Sequence, residues 1–410
     1  MWRTYLELPR SVHILCLGML INRAGSFVLV FLTIYVADKL EAGPAFAAQC
    51  MGVFGAGSTV ASLVGGHLAD QFGRRVVMLS ALFGGAAVLT VMSEIHEPWL
   101  FMLATGAFGL IIDMYRPACS AMFGDLVDAK SRPHAFGLFY ISINLGFAIG
   151  PPIGGILAGW SFRWLFLIDA LTTAACGVII LLFISESRPT NGSDQAEADE
   201  SRSLSLRQAA VRILQDGPFV VLCLATLLGG IVFMQGTTTL PIHIKSLGFS
   251  EGDFGLLIAI NGLLIFLCQL PLTHALTSYS RMGVLVVGEI LITIGFGVTT
   301  FAESLPVFAL TIVIWTVGEM MHAAFGQTIV TELAPQELRG RYQGVISMMF
   351  ALALMIGAPI GGIVLERYGA EFLWIGCAAL GCLSVLLHAA LYGPVTRRLT
   401  PPAPDVAGGD

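Results

Sequence analysis

A segment rich in glycine and proline occurs twice in this 410-residue chain. The first copy, residues 137–155, reads GLFYISINLGFAIGPPIGG, and the second, residues 344–362, reads GVISMMFALALMIGAPIGG, which is an offset of 207 residues. The same offset, without gaps, pairs further residues of identical type: Leu40 with Leu247, Gly55 with Gly262, His67 with His274, Arg74 with Arg281 and Arg132 with Arg339. The sequence therefore predicts two halves of one architecture.

The composition identifies the environment of these halves. Hydrophobic residues make up 56% of the chain, charged residues only 12%, and the mean hydropathy is +0.82, which no water-soluble domain of this length would have. Apolar stretches of about 20 residues, the length that crosses the hydrocarbon core, are predicted at 13–36, 44–68, 76–95, 97–124, 135–159, 163–184, 217–241, 253–276, 283–303, 305–331, 342–364 and 371–392. An all-helical integral membrane protein with twelve spans, six per half, is expected.

The spans divide the chain into four predicted parts. These are an N-terminal six-helix half (1–184), a cytoplasmic linker (185–216), a C-terminal six-helix half (217–392) and a cytoplasmic tail (393–410). The first part of the linker is polar and acidic and is predicted to be disordered. Its second part, SLSLRQAAVRIL, has an apolar face, which predicts a helix on the membrane surface. The apolar run after Arg10 lacks a small-residue cleavage site, so span one is expected to remain in the mature protein.

The positive charges predict the orientation. If the N-terminus is cytoplasmic, most of the 21 Lys and Arg residues lie in cytoplasmic segments, and only a few face outside: Lys39, Arg163, Lys245 and Arg367. Membrane proteins retain positive charge on the cytoplasmic side, so both termini are predicted there. The net charge of −6 implies no nucleic-acid partner. The eight cysteines have no paired or metal-ligand spacing and are interpreted as core residues, so no metal site is predicted.

The loop between spans two and three reads GHLADQFGRR, beginning at Gly66. Gly66 and Gly73 supply the permissive backbone that a tight turn requires. Asp70 is expected to meet the positive N-terminus of span three, and Arg74 and Arg75 are expected to meet carboxylates at the end of span four.

This loop resembles the signature GxLaDrxGrr of the major facilitator superfamily, with Gln71 in the place of the basic residue. The resemblance extends over the whole chain through the twelve spans and the repeat. It implies the twelve-helix fold of that superfamily, with two six-helix halves related by a pseudo-two-fold repeat. It also implies that four residues stabilise the closed cytoplasmic gate: Asp70, Arg74, Arg75 and Asp125. The alternative is a charged loop that only fixes the topology.

Span five contains GFAIGPPIGG, which matches the signature GxxxGPxxGG of the drug/proton antiporter branches of the superfamily. Glycines four residues apart allow two helices to approach closely, and prolines bend a helix. Six residues are therefore expected to serve helix packing: Gly146, Gly150, Pro151, Pro152, Gly154 and Gly155. A tight interface in any member of the fold would produce much of the same pattern.

Two further resemblances differ in what they imply. NRAGSF in span one and YRPA in span four look like a group of bacterial twelve-span drug-resistance transporters, although the arginine usual early in span four of proton antiporters is absent. FGLFYISINLG in span five resembles the signature of proton-coupled oligopeptide transporters, and Arg23 stands where their ExxER motif has its arginine. The two glutamates of that motif are missing.

Ionisable residues inside a span are costly and mark candidate sites. Either Glu319 or Asp113 is predicted to carry the coupling proton, because desolvation and a nearby cation can move the pKa of a carboxylate towards neutrality. Arg23 and Arg116 are expected to compensate the empty carboxylate or to bind an acidic group of the substrate. A static Asp113–Arg116 pair that only stabilises the bundle is the alternative. We expect Asp169 to be an anchor at the membrane surface, and Glu289 is ambiguous because span nine is usually peripheral in the fold.

Further polar and aromatic residues are candidates for substrate contact. Besides Arg23 and Arg116 these are Asn144, Tyr140, Gln235, His322 and Trp315. At helical spacing, plain packing is the alternative for each of them.

The sequence thus predicts a secondary transporter that exports small amphiphilic molecules by alternating access, driven by protons. Uptake of peptides or other zwitterionic or anionic solutes is one alternative, and a non-transporting receptor or scaffold is another. No GxxxxGK[ST] motif occurs, and no cofactor or enzymatic activity is predicted. The expected partners are a small-molecule substrate, protons and membrane lipid, for a monomer in the bacterial inner membrane.

Overall fold

The computed structural model of the protein describes residues 7–128, 131–187, 206–335 and 338–399. Within these residues the chain is helical and forms no strand. Most of the linker segment predicted to be disordered, and the tail after Leu399, lie outside the described residues, as do Lys130 and Arg188.

Six spans form the N-terminal half: one (Arg10–Ala24 and Val28–Ile34, continued by the π-helical turn Tyr35–Lys39), two (Gly43–Phe72), three (Arg74–Met92), four (Pro98–Ile112 and Tyr115–Leu126), five (Arg132–Trp160) and six (Phe162–Phe183). The C-terminal half contains spans seven (Gly217–Thr238 and Leu240–Ser246), eight (Glu251–Leu276), nine (Arg281–Val298, followed by the 3-10 turn Thr299–Phe301) and ten (Leu305–Leu333). Spans eleven and twelve lie in one helical stretch, Arg339–Ala390, which reverses at Gly369. Two short helices, Leu206–Gln215 and Tyr392–Leu399, precede and follow this half.

The expected all-helical membrane fold is confirmed. Eleven helical segments of the described chain are long and apolar enough to cross a membrane, and the last of them, Gly340–Arg398, contains both spans eleven and twelve. At Gly369 the backbone has a φ of 86° and a ψ of 173°, which interrupts the helix between these two spans. Corresponding helices also begin 207 residues apart, as Arg74 and Arg281 do. The repeat in sequence is therefore a repeat in structure.

The two ends of the bundle differ. One end, here called the basic end, carries Arg10, Arg74, Arg281 and Arg398 at the starts or ends of their helices. At the other end, here called the closed end, the two halves are in contact. The Glu366 carboxylate in span eleven accepts a hydrogen bond of 2.8 Å from the backbone N–H of Ala45, which lies in the first turn of span two in the other half.

Glycines allow this contact between the halves. A Cβ at Gly155 in span five would collide with the backbone of Glu251 and Gly252 in span eight. The same close approach continues towards the middle, where Gly262 of span eight faces the backbone of Ala148. Spans five and eight therefore pack closely from the closed end to the middle of the bundle.

The other residues of the Gly/Pro segment pack within the N-terminal half. Gly146 and Gly150 face the backbone at Arg23 and Ala24 of span one, and Gly154 faces Phe27 and Phe31. The helix of span five continues through Pro151 and Pro152. Each of these glycines lies where an added Cβ would press against span one.

Candidate functional site

A cavity of about 410 Å³ lies in the C-terminal half and is lined by spans seven, nine, ten and eleven, with Tyr140 of span five from the other half. It extends from Phe233 and Ile292 in the middle of the bundle to Leu222 and Val330 near the basic end. Its ionisable lining residues, besides Tyr140, are Glu289, Glu319 and His322. Among the described residues that line it, none is Lys or Arg.

Glu319 is held by span eight. Its Oε2 atom accepts a hydrogen bond of 2.7 Å from the side-chain amide of Asn261, which also donates to the Thr316 hydroxyl at 3.1 Å. Asn261 is buried. This fixes one carboxylate oxygen of Glu319 at the middle of the bundle.

Glu289 is held by spans twelve and seven. The residue is 2% exposed, and its Oε1 atom lies 2.7 Å from the hydroxyl of Ser384 in span twelve. Its Oε2 atom lies 3.8 Å from Nε2 of His322. Gly229 of span seven leaves room for the carboxylate, because a Cβ at that position would collide with Oε1.

A second histidine lies behind this cluster. His388 of span twelve is fully buried, and its ring centroid is 6.0 Å from that of His322. Its Nδ1 atom lies 3.0 Å from the backbone oxygen of Ser384, while its Nε2 atom has no hydrogen-bond partner among the described residues. A buried polar atom without a partner costs about 1–3 kcal/mol, so this nitrogen is an unusual feature.

The N-terminal half contains a much smaller cavity, of about 30 Å³. Four of its lining residues are charged: Arg23, Asp113, Arg116 and Asp169. Two helix interruptions meet here, since span one breaks between Ala24 and Val28 and span four breaks between Ile112 and Tyr115. Interrupted helices expose backbone groups at the membrane midplane, and transporters use such groups in their sites.

Asp169 was expected to be an anchor at the membrane surface, and that expectation is wrong. Asp169 is 2% exposed, and its Oδ2 atom accepts a hydrogen bond of 3.0 Å from the backbone N–H of Val28. The break in span one leaves the first amides of its second helix without helical partners, and the carboxylate satisfies one of them. Asp169 thus caps a helix inside the bundle and contributes negative charge near Arg23.

The alternative interpretation, a static Asp113–Arg116 ion pair, is not supported, because the ion pairs of the described residues do not include it. Asp113 instead accepts a short hydrogen bond from the hydroxyl of Ser58 in span two. Arg116 is exposed, and Nε of Arg23 is buried without a hydrogen-bond partner within the described parts of the chain. Span four is interrupted between Ile112 and Tyr115, so the regular helix that the three-residue spacing assumed does not run from Asp113 to Arg116.

The two cavities occupy equivalent places in the two halves. The 207-residue offset relates seven lining residues of the small cavity to seven of the large one: Asn22 to Gly229, Arg23 to Gly230, Ser26 to Phe233, Leu82 to Glu289, Ile112 to Glu319, Tyr115 to His322 and Arg116 to Ala323. Two arginines in the N-terminal half correspond to glycine and alanine in the C-terminal half. The large cavity therefore lacks both the bulk and the positive charge of those side chains.

The Major Facilitator Superfamily model matches residues 15–251 and 237–408. The chain belongs to this superfamily. It is 26% identical over 417 residues to a Na(+), Li(+), K(+)/H(+) antiporter of Planococcus maritimus, covering 95% of this chain and 97% of that protein. It is 25% identical over 344 residues to a multidrug resistance protein of Yersinia pestis, covering 82% of each. A solved POT family transporter in complex with 5-aminolevulinic acid has the same fold, with a TM-score of 0.76 at 19% identity, covering 97% of this chain and 100% of that chain. The protein is therefore a multi-pass membrane transporter of the Major Facilitator Superfamily.

The superfamily loop at the basic end forms a charged cluster within the N-terminal half. Arg74 lies 3.2 Å from Asp70 and 3.1 Å from Asp125. The same offset relates this arrangement to an ion pair between Arg281 and Glu332 in the C-terminal half. At the basic end the two halves therefore have equivalent arginine–carboxylate ion pairs, whereas the cavities differ in charge.

Three expectations about this loop need correction. Glu186, and not Asp70, caps span three, because its carboxylate accepts from the backbone N–H groups of Arg74 and Arg75 at 2.9 and 3.1 Å. The Arg75 guanidinium donates to the backbone oxygen of Leu181 rather than to a carboxylate. Gly66 lies inside the helix of span two, with no atom within 4 Å of an added Cβ, so only Gly73, with a φ of 103°, makes the turn.

Three residues predicted to contact substrate line neither cavity. Gln235 is buried and donates to the backbone oxygen of Gly357, which joins spans seven and eleven. Trp315 stacks on Phe296, and the Asn144 amide donates to the backbone oxygen of Tyr140. Packing within the superfamily fold accounts for all three contacts.

Sequence reasoning missed Asn261, Ser384 and His388. Ser384 and His388 are four residues apart in an otherwise apolar span, so they share a helical face. That spacing was a usable signal. Their link to Glu289 depends on the packing of span twelve against span nine, which no local pattern shows.

Proposed function

We propose that this transporter is a proton-coupled exporter of small amphiphilic cations that works by alternating access. The large cavity carries this proposal: Glu289 and Glu319 face apolar side chains, and none of its described lining residues is Lys or Arg. Its volume of about 410 Å³ suits a small organic ligand.

The proton and the cationic substrate compete for one carboxylate, and this competition couples their transport. A charged carboxylate at this depth is costly unless a proton or a cation compensates it. A proton on Glu319 weakens cation binding, and a bound cation favours loss of that proton, so each gradient drives the other solute. Asn261 holds Oε2 of Glu319, which leaves Oε1 to bind the proton or the cation.

We assign the coupling proton to Glu319 rather than to Asp113. Asp113 shares its cavity with Arg23 and Arg116, whose fixed positive charges compensate the carboxylate. The N-terminal cluster then keeps a constant charge while the C-terminal cavity changes protonation.

The relatives support exchange of a cation or a drug for protons, since one is named as an alkali-cation/H(+) antiporter and another as a multidrug resistance protein. Alkali-cation exchange is the second candidate function. Apolar walls that include Phe233 and Phe350 favour an organic cation over a hydrated ion. Peptide uptake is less favoured, because none of the described residues that line the cavity is a Lys or Arg that could bind a peptide carboxylate.

We infer that the basic end faces the cytoplasm, since positive charge is retained there. Both termini are then cytoplasmic, and the contacts at the closed end shut the outer side in this conformation. The halves 1–184 and 217–392 rock about the central site, joined by the linker 185–216 and followed by the tail 393–410. The expected setting is a monomer among lipids of the bacterial inner membrane.

Inverted membrane vesicles with an acid interior test the proposal, with a pH-sensitive dye as the readout. Addition of tetraphenylphosphonium is expected to release protons in wild type and in Glu303→Gln, which changes an exposed loop carboxylate. Glu319→Gln is expected to abolish the release.

The other outcomes distinguish the alternatives. Proton release by Na(+) or K(+) but not by the organic cation would select alkali-cation exchange. Proton movement with a dipeptide alone, in right-side-out vesicles, would select uptake. Tight binding of the organic cation without any flux would identify a receptor and end the exporter proposal.

A further inference from the structure

A third cavity, of about 530 Å³, lies at the closed end within the N-terminal half. It is surrounded by the end of span one, the loop between spans three and four, and the turn between spans five and six. Its buried lining includes Tyr35, whose ring centroid lies 5.2 Å from that of Phe162 and 5.1 Å from that of Phe166. Its described lining residues belong to neither of the two cavities in the middle of the bundle, so the proposed export does not use it.

The polar side of this cavity has more positive than negative charge. Lys39, His96 and Arg163 line it together with a single acidic residue, Glu94, and all four are exposed. The Arg163 guanidinium lies 2.7 Å from the Glu94 carboxylate. A guanidinium has five N–H donors, so this pair leaves others for a ligand. Two fixed positive charges therefore face one fixed negative charge, and an anion is the ligand that this lining favours.

The position of the two cations is unusual for a membrane protein. Lys39 and Arg163 are two of the four basic residues that the sequence predicts on the outer side, where positive charge is depleted. Lys39 takes part in no hydrogen bond or ion pair within the described parts of the chain. Asp38 and Glu251 lie near its charge, but neither carboxylate lines the cavity. The Lys39 ammonium is thus available to a ligand here.

The backbone at the start of span six adds donors on the same side. Span six begins at Phe162, directly after Ser161, and no side chain caps this end among the described residues. The first amides of a helix, here those of Phe162 and Arg163, have no partner within the helix. An anion at such an end is stabilised by these N–H groups. They reinforce the preference that the side chains of the cavity establish.

Exposed tryptophans indicate the depth of the cavity in the membrane. Trp160, which lines the cavity, is 78% exposed, and Trp164 in the first turn of span six is 58% exposed. Tryptophan is enriched where the hydrocarbon core meets the polar headgroups. The anions concentrated at that depth are the phosphate groups of phospholipids, and the cavity is large enough for such a headgroup.

We propose that this cavity binds the headgroup of an anionic phospholipid in the leaflet at the closed end. Lys39 and Arg163 pair with its phosphate, while His96 and the first amides of span six donate hydrogen bonds to the remaining oxygens. A phosphate ester from solution has the same chemistry, and the exposed Trp160 favours the lipid. This inference does not depend on the proposed export.

Native mass spectrometry of the full-length protein in detergent tests the site, with phosphatidylglycerol as the probe and the affinity of the first bound lipid as the readout. The double variant Lys39→Gln/Arg163→Gln is expected to bind about thirtyfold more weakly, because each basic residue at a membrane surface contributes a factor of about five. Arg367→Gln is the matched control, since Arg367 is an exposed basic residue at the same end that does not line the cavity.

Glu94→Gln separates charge from structure. It breaks the same ion pair as Arg163→Gln but leaves the positive charge, so it is expected to tighten binding about fivefold, whereas Arg163→Gln weakens it by a similar factor. Equal weakening in both variants would mean that the ion pair only shapes the loop, which overturns the site.

Three further results would also overturn the proposal. Wild-type affinity in the double variant would show that phosphatidylglycerol binds elsewhere. Equally tight binding of phosphatidylcholine would remove the preference for an anionic headgroup. Binding of glycerol 3-phosphate as tight as that of the lipid, and lost in the double variant, would assign the site to a phosphate ester from solution.

Discussion

The two halves of this transporter contain cavities at equivalent positions, but the two cavities differ in volume and in the charged residues that line them. In the N-terminal half, Arg23 and Arg116 line a cavity of only about 30 Å³ together with Asp113 and Asp169, so two formal positive charges lie near two formal negative charges. In the C-terminal half, Gly230 and Ala323 stand in their places, and the carboxylates face a cavity of about 410 Å³. A repeated fold thus yields one compensated cluster and one cavity open to a proton or a cation.

The charge difference between the two cavities is tested most directly by introducing into the large cavity the arginine that lines the small one. Ala323→Arg places a guanidinium near Glu319, and like-charge repulsion of a cationic ligand costs several kcal/mol. Transport of an organic cation is expected to fall about a hundredfold or more, since each 1.4 kcal/mol is a factor of ten. Uptake of labelled tetraphenylphosphonium into inverted vesicles measures this, with Ala323→Met as the control for bulk. Equal losses in both variants would mean that volume, and not charge, defines the cavity.

A smaller effect is expected from moving Glu289 without changing its charge. In Gly229→Ala the added methyl group would collide with the Glu289 carboxylate and displace it from Ser384. We expect about a tenfold loss of pH-driven transport, because Glu289 is one of the two carboxylates of the large cavity and a positioned acid or base contributes at least that much. Gly376→Ala is the matched control, because no atom lies within 4 Å of a Cβ at that position. Unchanged rates in Gly229→Ala would show that Glu289 has no role in coupling.

Stability should separate the compensated cluster from the uncompensated one. Asp169→Asn removes the charged cap of Val28 and leaves Arg23 with less negative charge nearby, so we expect a loss of about 1–3 kcal/mol. Glu289 has no Lys or Arg beside it among the described residues that line its cavity, and glutamine keeps the size of the side chain, so Glu289→Gln is expected to lose no stability. Thermal unfolding of both variants in one detergent, beside Glu303→Gln, measures the difference. A large loss in Glu289→Gln would indicate a charged, compensated Glu289 and would remove the contrast between the halves.

The smallest effect concerns the basic end, where the halves carry the same ion pair. Asp125→Asn and Glu332→Gln each break an arginine pair near the surface. Such pairs contribute about 0–1 kcal/mol, and we expect similar, salt-dependent decreases in both. Unfolding at low and high salt measures them. A clear difference between the two variants would show that only one half depends on this cluster for stability.

Much of the fold could be predicted because its causes are local. Long apolar runs specify spans in a bilayer, since every backbone group must be paired within its helix. Intramembrane charge likewise identified Glu319, Asp113 and Arg23 as candidates from the cost of burial alone. The predicted roles of Gln235, Asn144 and Trp315 were less informative, because a polar or aromatic residue on a helix is equally suited to a neighbouring span.

The sequence by itself determined the membrane helices, the two-fold repeat and the presence of ionisable groups inside the bundle, because hydropathy and spacing act over a few turns of one helix. Only the tertiary structure decided which of these groups meet. Glu289 reaches Ser384 from 95 residues away in sequence, and Asp169 reaches Val28 from 141 residues away. Such contacts depend on which faces of separate helices pack together, and close packing depends on side-chain shape along the whole interface rather than on any local pattern.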